Sequence, residues 1–163
     1  MKLKSLVLAA ALLPAFGSAF ADDYAIDLIG GPTEWSAALG ATHTTGDFSD
    51  TFTFTNYTSA TGTVFASLIN NANDWAQIDF TSVTLNGTAV STADLGPLSI
   101  AAIFGQDVTG PLTLVVNGTV TGSVASYGGE FSVATPVPEP ATYGMLIGGM
   151  GVMAFLARRR KQQ

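Results

Sequence analysis

The chain contains no cysteine, so no disulfide framework braces it, and stability must come from packing, with or without a bound ion. Between residues 22 and 135 there is also no lysine and no arginine. All 6 basic residues, Lys2, Lys4, Arg158, Arg159, Arg160 and Lys161, lie at the two ends. Neutralising phosphates requires such side chains, so their absence excludes nucleic-acid binding by the body. Close adsorption to anionic lipid is disfavoured for the same reason. The same segment carries eleven carboxylates: Asp22, Asp23, Asp27, Glu34, Asp47, Asp50, Asp74, Asp79, Asp94, Asp107 and Glu130. With eleven acids and no Lys or Arg, the body is near −11, a value concealed by the whole-chain net charge of −6.

Histidine occurs once, at His43. Ser/His/Asp catalysis would have to use it, yet no Gly-x-Ser-x-Gly elbow accompanies it. Thr42, Thr44, Thr45 and Gly46 around it predict a loop position. A zinc site draws three or four ligands from Cys, His or carboxylate, and one histidine without cysteine makes such a site remote. Among eleven carboxylates some pair across a cleft is inevitable, so a pair alone does not indicate a glycosidase. No catalytic constellation stands out, and the chain is read as a non-enzyme.

The ends carry the strongest signals. Lys2 and Lys4 precede an apolar run from Leu6 to Phe16, and Ala19-Phe20-Ala21 stands before Asp22-Asp23. A positive start, a short apolar core and small residues at −3 and −1 predict a secretory signal peptide over residues 1–21, cleaved after Ala21. At the other end, Pro136-Val137-Pro138-Glu139-Pro140 leads into an apolar run from Ala141 to Ala157, closed by Arg158-Arg159-Arg160-Lys161. As a helix the run over 141–157 would rise about 25 Å, slightly short of a hydrocarbon core of about 30 Å, and it is read as a transmembrane helix. The basic cluster at 158–161 should stay cytoplasmic, which places residues 22–135 outside the inner membrane.

The remaining body, about 114 residues, suits one domain with a real core. It is rich in Thr, Ser, Gly and Asn, a composition of extracellular β-structure. Apolar and polar residues alternate in Tyr24–Ile29, Asp47–Thr55, Thr63–Ile69 and Trp75–Phe80. Asn86-Gly87 and Asn117-Gly118, each between two alternating runs, predict type I′ hairpins. Leu98–Phe104 reads as either strand or short helix, and Trp35–Leu39 as a helical turn. Short strands at this spacing predict an all-β fold, an antiparallel β-sandwich resembling a jelly roll.

The motif Pro138-Glu139-Pro140, the glycine-bearing apolar run and the terminal Arg158-Arg159-Arg160-Lys161 resemble the PEP-CTERM sorting signal of Gram-negative bacteria over residues 136–161. The resemblance implies recognition and processing by an exosortase-type membrane enzyme. Pro138, Glu139, Pro140, Arg158, Arg159 and Arg160 would be the sorting residues, and the helix a temporary anchor in the inner membrane. The protein would then reach the cell surface or its polysaccharide matrix.

Within the body, Phe48-Ser49-Asp50-Thr51-Phe52 resembles the signature of the FxDxF group of PEP-CTERM proteins. On a strand, Asp50 shares a face with Phe48, Phe52 and Phe54, where a carboxylate must be hydrogen-bonded, metal-bound or at a sheet edge. One reading makes it an acceptor of backbone or Ser/Thr hydrogen bonds. The other makes it a Ca²⁺ ligand with Asp47, Asp74 and Asp79, converging from separate strands. No other cofactor is expected. Trp35 and Trp75 are candidates for a sugar-stacking platform, which would make the body a module binding exopolysaccharide.

Overall fold

The computed structural model describes residues 20–57, 61–71, 75–136 and 140–160. Those residues form strands β1 (Phe20–Asp27), β2 (Ile29–Gly30), β3 (Glu34–Thr55), β4 (Thr61–Asn71), β5 (Ala76–Leu85), β6 (Thr88–Ala89), β7 (Ser91–Leu95), β8 (Leu98–Thr109) and β9 (Leu112–Ala134), followed by helix α1 (Pro140–Arg160). Most of the signal-peptide segment lies outside the described residues. Phe20 and Ala21 already belong to β1, so cleavage after Ala21 would leave that strand starting at Asp22.

Two very long strands organise the body. The first part of β3 pairs antiparallel with the last part of β9, from Glu34↔Ala134 to Thr44↔Val124. After a register shift between Thr44 and Gly46, the rest of β3 pairs with the first part of β9, from Gly46↔Val120 to Phe54↔Leu112. The neighbours change with the shift. The later part of β9 takes β4 as its second partner, and β4 continues to β8 and β7. The earlier part of β9 takes β5, while β1 flanks the later part of β3. One apolar core draws on both halves: Phe52, Ile78 and Leu114 come from one, Val64, Leu68 and Phe131 from the other. Phe54 stacks on Phe131 across the division, with ring centroids 3.9 Å apart.

A buried polar bridge also ties the halves. Asn70 of β4 donates to the carbonyls of Ile78 (2.9 Å) and Pro97 (2.8 Å) and accepts from the Ser99 amide at 2.9 Å. Ser99 Oγ in turn accepts from the Phe80 amide at 3.1 Å. The β-sandwich expectation therefore holds, with one correction to the antiparallel description. β1 runs parallel to β3, from Phe20↔Phe48 to Asp27↔Thr55, so the sheet is mixed.

The two Asn-Gly dipeptides part company. Asn86 and Gly87 both have positive φ (49° and 80°) and turn β5 into β6, with Leu85 opposite Thr88. Asn117-Gly118 lies inside β9 and makes no turn, because β9 is paired on both sides there, with Phe48 and Ser49 of β3 and with Phe80 and Ser82 of β5. Two full ladders outweigh a local turn preference. Gly118 is useful there for its lack of a side chain: a Cβ would sit 2.6 Å from Cζ of Phe48 and 2.8 Å from the Asp79 carbonyl oxygen. Trp35–Leu39 and Leu98–Phe104 are both strand, settled by pairing with β9 and β4.

The tail forms a helix of 21 residues, Pro140–Arg160. The expectation of a transmembrane span over 141–157 is corrected, since no helix among the described residues is long and apolar enough to cross a membrane. Four glycines (Gly144, Gly148, Gly149 and Gly151) and the polar start at Thr142 and Tyr143 dilute the apolar run. Its described apolar side chains are nonetheless exposed, among them Met145, Ile147, Met150, Met153 and Phe155.

Candidate functional site

The Phe48-x-Asp50-x-Phe52 segment lies in the later part of β3, and period-two geometry turns all three side chains inward. All are buried, with Asp50 and Phe52 each 0 % exposed. His43 is also buried, 4 % exposed, within β3 rather than in the predicted loop. Simple alternation would put residues 43 and 50 on opposite faces, because their separation is odd. The register shift between Thr44 and Gly46, where β3 advances two residues against four of β9 and Gly46 takes φ +127°, breaks the alternation, so that His43 and Asp50 are both buried. That φ suits glycine, and the bulge is what lets His43 meet the aspartate.

His43 Nε2 lies 2.7 Å from Asp50 Oδ2. Tyr127 Oη, from the later part of β9, donates a hydrogen bond to the same oxygen. Both partners thus converge on Oδ2, and buried Oδ1 has no hydrogen-bond partner among the described residues. Aromatic rings enclose the carboxylate. His43 stacks on Phe48 at 4.2 Å, Phe48 lies against Tyr127 at 5.8 Å, and Phe80 meets Tyr127 edge-on at 5.5 Å. Tyr24 of β1 stacks on Phe52 at 4.9 Å.

The parallel register places Asp22 beside Asp50, Phe20 beside Phe48 and Tyr24 beside Phe52. Phe20-x-Asp22-x-Tyr24 therefore repeats the aromatic-x-Asp-x-aromatic pattern in register with its neighbour. One ligand atom each from Asp22, His43 and Asp50 lies within 4.8 Å of the others. Asp22 is exposed, whereas the other two are buried.

Burial raises the Asp50 carboxyl above the usual carboxylate range, against the opposing hydrogen bonds from Tyr127 and His43. Burial, reinforced by the adjacent Asp50, pushes the Tyr127 hydroxyl far above its ordinary value. Tyr24 is raised too, by burial and by the charges of Asp50 and Asp22.

The other sequence candidates fall elsewhere. Asp47 is exposed and accepts from Thr119 Oγ1 at 2.7 Å. Asp79 also pairs with Thr119 and takes weak contacts from Gln77 at 3.4 Å. Both alternate with inward-facing neighbours and so point away from Asp50, while Asp74 lies outside the described residues. The proposed Ca²⁺ set of Asp47, Asp50, Asp74 and Asp79 is therefore not brought together among the described residues. Asp50 does accept hydrogen bonds, but from His43 and Tyr127 in place of backbone or Ser/Thr donors.

Trp35 is half-buried against Tyr57, with ring centroids 6.3 Å apart, while Trp75 is 84 % exposed. Trp35 pairs with Val133, and Ala76, next to Trp75, pairs with Gly122, so they approach different parts of β9 and do not form one platform. In the tail, Pro138 and Glu139 lie outside the described residues, Pro140 opens α1, and Arg158, Arg159 and Arg160 close it.

Sequence reasoning missed Asp22, His43 as a partner of Asp50, and Tyr127. The repeated aromatic-Asp pattern and the isolated Gly46 were the available signals for the first two. Tyr127 carried none, because its approach depends on pairing across 77 residues.

Among curated proteins, none matches this chain. The solved structures similar to it include the pre-peptidase C-terminal domain of collagenase from Bacillus anthracis, at 10 % identity and a TM-score of 0.39, covering 69 % of this chain and 95 % of that one. Another is PliG of Aeromonas hydrophila, a periplasmic inhibitor of g-type lysozyme, at 11 % identity and a TM-score of 0.38, covering 69 % of this chain and 98 % of that one. Residues 136–161 match the family model of the PEP-CTERM protein-sorting motif. The chain therefore carries a PEP-CTERM sorting motif, the mark of an exosortase-sorted surface protein, in its tail.

Proposed function

We propose that this protein is a non-enzymatic β-sandwich of the FxDxF group, exported with a cleaved signal peptide over residues 1–21. In this reading it is delivered to the cell surface or its polysaccharide matrix, and an exosortase-type enzyme reads and removes the tail. The observation that carries the reading is the sorting motif at residues 136–161. A body with eleven acids and no Lys or Arg over residues 22–135 supports it, since tail removal leaves a soluble, self-repelling acidic domain. The test is fractionation of cells making the full chain, the chain ending at residue 135, or Glu139→Ala. The truncated chain should be misdirected, and Glu139→Ala should leave the tail uncut. Delivery of all three forms to one compartment would sink the reading.

A second reading, a carbohydrate-binding module, draws on Trp75, 84 % exposed beside the first residue of β5. A glycan array probed with and without Ca²⁺ decides it. Trp75→Ala should abolish the signal, and no binding in either buffer removes the reading.

A further inference from the structure

We propose that Asp22, His43 and Asp50 form a binding site for a divalent first-row transition-metal ion of the zinc class, clasping β1 to β3. The inference is independent of the sorting reading, because none of these residues lies in the tail. It begins with the convergence of three side chains of metal-ligating type, whose ligand atoms lie within 4.8 Å of one another. A second, separate observation concerns Asp50 alone. Among the described residues both of its hydrogen-bond partners use Oδ2, and buried Oδ1 is left without one. Leaving a buried carboxylate oxygen unpaired is costly, and a proton placed on it would only exchange an unpaired acceptor for an unpaired donor. A cation removes the difficulty.

Charge points the same way. Two carboxylates face a single imidazole, and residues 22–135 offer no Lys or Arg that could compensate them. The donor set selects the class of ion. Calcium takes six to eight oxygens, whereas one imidazole nitrogen with two carboxylates suits zinc and its first-row neighbours. Three protein ligands leave a coordination position for water. Asp22, exposed on the edge strand β1, gives the ion a route in from solvent. Without an ion, β1 is held to β3 by its ladder and by the stacking of Tyr24 on Phe52. With one, an edge strand and a buried residue of its neighbour share a ligand sphere.

The test uses the full chain, stripped with a chelator and titrated with Zn²⁺ by calorimetry, with thermal unfolding followed in parallel. The unsubstituted chain should bind one equivalent and melt at a higher temperature when zinc is present. Asp22→Asn is the decisive variant, because an exposed residue can be changed without disturbing the core. It should keep the metal-free melting temperature and lose on the order of tenfold or more in zinc affinity. His43→Gln should lose the site altogether. Asp23→Asn, an equal loss of charge one residue away, should bind as the unsubstituted chain does. Absence of a saturable single equivalent overturns the proposal. So does equal weakening in Asp22→Asn and Asp23→Asn, which would reveal only diffuse attraction to an acidic surface.

Discussion

Phe52 and Phe155 are the same residue in opposite settings. Phe52 is 0 % exposed in β3, stacked under Tyr24 and edge-on to Tyr127, whereas Phe155 is 64 % exposed on α1. The contrast extends to their regions. The sandwich packs a buried core fed from both halves, leaves Trp75 and Phe104 among its exposed apolar residues, and carries no Lys or Arg over residues 22–135. The tail helix leaves Met145, Ile147, Met150 and Met153 exposed and ends in arginines. The helix that exposes these side chains lies within the segment that matches the sorting motif, residues 136–161.

The comparison breaks most sharply at those two phenylalanines. Phe52→Ala should destabilise the sandwich by about 3–5 kcal/mol, through lost transfer energy and the cavity left behind. Phe155→Ala should change unfolding by less than about 0.5 kcal/mol, as expected for an exposed site away from the core. Denaturant melts of the two variants beside the unsubstituted chain measure both. Comparable losses would mean that the helix packs into the folded body and that the division drawn above is wrong.

How much of this could be read beforehand follows from the range of the forces involved. The inward triplet Phe48, Asp50 and Phe52 was legible, because alternation is a local property of any strand with one buried face. The Asn86-Gly87 turn was legible for a similar reason: both residues need positive φ, and the dipeptide supplies it cheaply. Asn117-Gly118 carried the same local preference, yet pairing on both edges of β9 kept it extended. His43 was misread because its surroundings look like a loop, and only the shift at Gly46 turns it inward. The parallel pairing of β1 was hidden as well. It joins residues 28 apart, such as Asp22 and Asp50, and no turn chemistry announces it. The interior aromatic face was thus local information, while the polar constellation on it depends on long-range register.

That constellation sharpens the comparison by a smaller effect. Asp50 is a carboxylate inside the body, held above the usual range chiefly by burial, with His43, Tyr127, Asp22 and Tyr24 as its titratable neighbours. For an acid whose value is raised on folding, the folded state keeps its proton to a higher pH than the unfolded chain does. The stability this supplies is therefore full below the ordinary carboxylate value of about 4 and is lost as pH rises through the raised value. Asp50→Asn cannot ionise and keeps the shape of the side chain. Its melting temperature should fall less than that of the unsubstituted chain between about pH 4 and pH 7, with a chelator present so that no metal contributes. Mutual repulsion among the more distant acids is common to both proteins, so the difference between the two curves reports on Asp50 together with the side chains paired to it. Parallel curves would mean that the hydrogen bonds from His43 and Tyr127 fully offset the burial of Asp50. The interior would then tolerate its charge as readily as the acidic surface does, and the distinction between the closed core and the water-facing parts would not extend to Asp50.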